Sequence, residues 1–136
     1  MINLKQKSTG TAFAILFSII TILCITSIAQ AYGTAFTYNG TRIQFKYSIG
    51  STSVNAGQTI TVNHHQKRDY PANYGMTVSV MRNTGWGYKS VGSKTFQNDN
   101  GGVFSVKAPI SGTYKLYFES TYTHGYTFHV YGTVLK

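Results

Sequence analysis

The chain has 136 residues, with 12 Lys and Arg against 3 Asp and Glu, and a formal net charge of +9. Its one cysteine, Cys24, excludes an internal disulfide framework and any cluster of thiolate metal ligands. So few acids leave little room for carboxylate catalysis, while the positive field favours anionic partners.

At the N-terminus, Lys5 and Lys7 precede the apolar run from Ala12 to Ile25, and Ala29-Gln30-Ala31 has the small-x-small form of a signal-peptidase site. Residues 1–31 are expected to be a signal peptide cleaved after Ala31, and residues 32–136 the folded domain. The apolar run is short for a membrane span, which needs ~20 residues. Leu23 stands where a lipoprotein signal has a small residue before its cysteine, so lipid anchoring at Cys24 is not expected. The domain is therefore expected to be secreted and to act outside the cell, at its wall. Ten cations then remain against Asp69, Asp99 and Glu119.

Beyond residue 31 no apolar repeat at helical spacing occurs. β-Branched and aromatic residues instead alternate with polar ones between Gly, Asn and Ser turns. Asn39-Gly40 reads as a tight hairpin turn. Ile43, Phe45 and Tyr47 read as one buried side of the next strand, with Arg42 and Lys46 outward. Ile60 and Val62 define another inward face, followed by Met76, Val78 and Val80. Phe104, Val106 and Ala108, then Tyr114, Leu116 and Phe118, then Tyr126, Phe128 and Val130 complete the series. Phe45, Phe104, Phe118 and Phe128 are assigned to the core. Ala56-Gly57, Asn83-Thr84-Gly85, Asn100-Gly101-Gly102, Ser111-Gly112 and His124-Gly125 mark reversals. About eight strands in this order predict a single all-β domain, an antiparallel β-sandwich of jelly-roll or Greek-key type.

The stretch HHQKRDYP, His64 to Pro71, concentrates two histidines, two cations and an acid. Neighbouring histidines on a strand point to opposite faces, and carboxylates are scarce, so neither a metal nor any other cofactor is expected. Read as a loop at the end of a strand, His64, His65, Lys67, Arg68 and Tyr70 form a handle for an anionic partner. Arg42 and Lys46 support it from a nearby strand face. Tyr88, Tyr117, Tyr122 and Tyr131 fall on outward phases or in turns, and Trp86 lies between two glycines. Exposed Tyr and Trp suit stacking on sugar rings, because each has an apolar face and a polar edge. Trp86 and Tyr88 therefore join the candidate binding residues. Asn98-Asp99-Asn100-Gly101 reads as a plain turn, since calcium needs more carboxylate than Asp99.

The run VFSVKAPISGTYKLYF, Val103 to Phe118, followed by YTFHVYG, Tyr126 to Gly132, resembles the closing hairpins of secreted bacterial β-sandwich modules of the prepeptidase C-terminal type. Pro109 and Gly112 match the turn of its F-x-V-x-A-P-x-S-G-T-Y motif, and Tyr114 starts the next buried face. The resemblance implies a jelly roll without catalytic activity that binds surfaces, glycans or calcium; the acids that calcium requires are mostly absent here.

These features together point to a non-catalytic binding protein. Its expected partner is an anionic cell-wall polymer, a glycan or an acidic membrane surface, and not chromosomal nucleic acid. Two alternatives have the same charge and size. One is a secreted, bacteriocin-like toxin. The other is a basic secreted nuclease using Glu119 with His124 or His129, Glu119 and His129 both being on outward strand phases.

Overall fold

A computed structural model describes residues 32–136; the expected signal peptide, residues 1–31, lies outside the described residues. Alternation is converted into eight strands: β1 (Thr34–Ile43), β2 (Phe45–Val54), β3 (Thr59–Arg68), β4 (Gly75–Asn83), β5 (Tyr88–Gln97), β6 (Gly102–Lys107), β7 (Gly112–Ser120) and β8 (Phe128–Leu135). They form two four-stranded antiparallel sheets. Sheet one has the order β1-β8-β3-β6 and sheet two the order β2-β7-β4-β5. Every connection except the β4–β5 hairpin carries the chain from one sheet to the other. That path is a jelly roll.

The core fills the space between the sheets. Ile60 and Val62 from β3 and Val130 and Val134 from β8 meet Met76, Val78 and Val80 from β4 and Leu116 and Phe118 from β7. Most strand phases follow the sequence pattern, because one face of each strand must leave water while the other stays wet. Phe118 and Phe128 are buried, whereas Phe104, on the edge strand β6, is only half-buried. In the β6–β7 turn the Tyr114 hydroxyl donates back to the carbonyl of Ile110, so the A-P-x-S-G-T-Y segment closes on itself.

Two sequence expectations fail at the first corner. Asn39-Gly40 makes no hairpin; both residues lie inside β1, paired with Tyr131 and Val130 of β8. Nor do Ile43, Phe45 and Tyr47 share one strand. The chain bends at Gln44 and changes sheets, with Arg42 at φ 55° just before the corner. Ile43 is buried from β1, but Phe45 is 46% exposed on β2, and Tyr47 also faces outward. Crossing between sheets shifts the phase by one residue, so the alternation that looked continuous turns over. Lys46 accordingly takes the inward phase, opposite Phe118, and not the outward one.

Candidate functional site

The HHQKRDYP stretch is not the loop that its composition suggests. Strand β3 continues through Arg68, so only Asp69-Tyr70-Pro71 belongs to the connection. His64 extends the inward phase of Ile60 and Val62 and is 0% exposed, which removes it from any surface handle. Its Nδ1 lies 2.8 Å from the Tyr38 hydroxyl and its Nε2 3.0 Å from Gln66 Oε1; Gln66 then donates to the carbonyls of Phe96 and Asn98. Burial pulls the His64 pKa down to about 4; the Gln66 bond opposes this and His65 adds to it. Gly132 lets the pair form, because a Cβ there would lie 2.6 Å from the Tyr38 hydroxyl oxygen.

Arg68 is likewise committed within the fold. Its Nε and Nη2 reach the Asp99 carboxylate at 3.1 Å each, and Nη1 donates to Asn98 Oδ1 and the Ala72 carbonyl. The Asp99 carboxylate also accepts the Arg68 backbone N–H at 2.7 Å. These contacts hold the Asp99 carboxyl below its ordinary value, the guanidinium hydrogen bond contributing most. Asn98-to-Gly101 is thus a turn clamped by an arginine. His65 and Lys67 are exposed on the outer face of sheet one, where His65 stacks on Tyr131 with centroids 5.1 Å apart. Tyr70 lies exposed in the β3–β4 connection and meets Tyr126, which stacks on Tyr122. The five residues of the expected handle outside the β1–β2 corner and the hairpin therefore divide between core, clamp, sheet face and loop. Arg42 stays exposed at the corner.

The outer face of sheet two gathers what that stretch does not. Tyr47 of β2 is the Cα partner of Tyr117 on β7, which in turn pairs with Ser79 of β4. The Tyr47 ring lies 4.7 Å from Tyr117 and 5.1 Å from Tyr88. Lys115, two residues before Tyr117 on the same face, sets its ammonium 4.1 Å from the Tyr88 centroid and 4.6 Å from the Tyr47 centroid. Burial pushes the Tyr117 hydroxyl above its ordinary pKa, with smaller contributions from Glu119 and Tyr47. Thr77 and Thr95, cross-strand partners whose hydroxyls are 2.8 Å apart, add a polar margin on the same outward phase.

Trp86 stands at the tip of the β4–β5 hairpin and is 100% exposed. The tip is built to hold it there. Thr84 N–H bonds the Gly87 carbonyl at 2.9 Å, Gly85 N–H bonds Asn83 Oδ1 at 2.8 Å, and Gly85 takes φ 85°. A side chain there would be strained in that conformation. Tyr88, in the sequence expectation, and Trp86 thus share one hairpin beside Tyr47, Lys115 and Tyr117. Sequence reasoning put Tyr47 on the buried side and gave Lys115 no role. The signal that finds them is the β2–β7 register, which joins positions about 70 residues apart and leaves no local trace.

Of the two catalytic pairings proposed, Glu119 with His129 does not assemble, and His124 meets Tyr122 and Thr123. Glu119 and His129 are on the outward phases of strands in different sheets, hence on opposite faces of the sandwich. His129 Nε2 instead lies 2.8 Å from Asn39 Oδ1. Among the described residues, no group of three or more His, Cys, Asp or Glu is placed to hold a metal ion.

No protein-family model matches the chain, and no curated protein sequence does. A solved carbohydrate-binding module, described as "CBM4 structure and function", is similar at 15% identity, with a TM-score of 0.44, over 76% of this chain and 77% of that one. The sandwich architecture is read from the strands themselves, and nothing in these comparisons favours the prepeptidase C-terminal type over other β-sandwich families.

Proposed function

We propose that the protein is a non-catalytic binding module that works outside the cell and holds an acidic glycan on the outer face of sheet two. The observation that carries this reading is the Tyr47–Tyr117–Tyr88 cluster with the Lys115 ammonium set among its rings, beside the fully exposed Trp86. Sugar rings offer C–H faces to aromatic rings and hydroxyl edges to polar groups, so a tyrosine platform with a threonine margin meets both. Lys115 supplies a point charge for a carboxylate or phosphate substituent on the chain. The ten cations against three acids in residues 32–136, a net charge of +7, draw such a polymer in from a distance. Two of the three acids are engaged at the surface by the fold's own groups, Asp99 by Arg68 and Asp69 by the Thr127 hydroxyl.

Binding of the protein to acidic and neutral polysaccharides, immobilised side by side, tests this reading. Trp86→Ala and Tyr117→Ala should each weaken binding about tenfold, which corresponds to about 1.4 kcal/mol. Lys115→Gln should weaken the acidic polymer only, and its effect should shrink at higher salt. Unchanged binding by both aromatic variants, with melting temperatures intact, would place the ligand elsewhere.

A further inference from the structure

Strands β1 and β2 are the edges of the two sheets on the same side of the sandwich, and both depart from regular pairing there. On β2 the ladder to β7 breaks between Tyr47 and Ser51. The Ser48 hydroxyl fills the gap: it accepts the Leu116 N–H at 3.0 Å and donates to the Gly50 carbonyl at 2.7 Å. Ile49 is thrown outward and is 93% exposed. On β1 the ladder to β8 is irregular between Gly40 and Ile43. Paired bulges bend edge strands and open the space between them. Here they flank a cleft of about 380 Å³, within the range of small-molecule sites.

The walls are apolar. Tyr38, Ile43, Phe118 and Val130 form the interior, and Lys46 and Ile49 stand at the mouth. Three of the polar side chains around them are already used. The Tyr38 hydroxyl bonds His64, the Ser48 hydroxyl bonds the bulge, and Asn39 bonds His129. Lys46 is different: it shares the inward phase of Phe118, is exposed, and forms no ion pair among the described residues. An apolar cavity with one uncommitted ammonium at its entrance complements a molecule with an aliphatic body and a single negative head.

We infer that the cleft between β1 and β2 is a second ligand site, for a medium-chain aliphatic carboxylate. Its chain lies against Tyr38, Phe118 and Val130, and its carboxylate pairs with Lys46. This inference does not depend on the glycan reading, because the two sites use different charged groups, Lys46 in one and Lys115 in the other.

Methyl NMR of the protein, titrated with decanoate and separately with decanol, tests it. Decanoate should shift the Ile43, Ile49 and Val130 methyl signals saturably and leave Ile60 unmoved. Lys46→Gln should weaken decanoate about tenfold and decanol little, and Lys46→Arg should retain decanoate binding. The methyl spectra report whether each variant is folded. Trp86→Ala should leave decanoate untouched. The inference is overturned if the cleft methyls stay still, if Lys46→Gln binds decanoate like the wild type, or if Trp86→Ala abolishes decanoate binding.

Discussion

His64 shows how one residue can change meaning when its strand is extended by five positions. It was legible as core, since Ile60, Val62 and His64 share one phase; the cluster of charges after it suggested that the strand had already ended. Its environment has a consequence for acid stability. A histidine at pKa 6.5 unfolded and about 4 folded binds its proton more readily in the unfolded chain. Stability should therefore be constant above about pH 6.5 and fall by about 3 kcal/mol as the pH drops to 4. Chemical denaturation at a series of pH values measures this, and His64→Gln should flatten the profile. Asp99 acts in a lower window: its carboxyl is held down by Arg68, so its contribution is lost only below about pH 3.8. Neighbouring Lys67 and Arg68 should part company in thermal unfolding. Arg68→Ala should lower the melting temperature by releasing Asp99, Asn98 and Ala72, whereas Lys67→Ala should leave it unchanged.

Among the elements, β4, β7 and β8 were readable because their alternation runs unbroken from turn to turn. The β1–β2 corner was not. One bend at Gln44 reverses the phase, and Asn39-Gly40, a hairpin signal by composition, is absorbed into a long strand by its pairing with β8. The β2 bulge leaves a particular debt to a side chain. Removing the Ser48 hydroxyl strands the buried N–H of Leu116, and an unpaired buried donor costs about 1–3 kcal/mol. Ser48→Ala should show that loss in equilibrium unfolding, while Ser53→Ala on the same strand, exposed and with no side-chain bond, should show almost none. On the facing strands, Phe118→Ala and Phe128→Ala should each cost about 3–5 kcal/mol. No disulfide compensates for either.

At the scale of the molecule, the jelly-roll path decides which residues become neighbours. Trp86 and Tyr88 were visible in the sequence as a glycine-flanked Trp and an outward Tyr. Tyr47, Lys115 and Tyr117 join them only because β2 pairs with β7 at one edge of sheet two and the hairpin of β4 and β5 closes over the same face. Local pattern carries strand phase but not strand order, so the fold class was accessible and the site was only half so. Trp86 provides the most direct test, because it is the chain's single tryptophan and lies fully in water. Its fluorescence should be followed while an acidic oligosaccharide is titrated into the protein. Binding on the face of sheet two predicts a saturable blue shift that disappears, or moves to about tenfold higher concentration, in Tyr117→Ala. An emission spectrum that stays unshifted while the oligosaccharide demonstrably binds would contradict it.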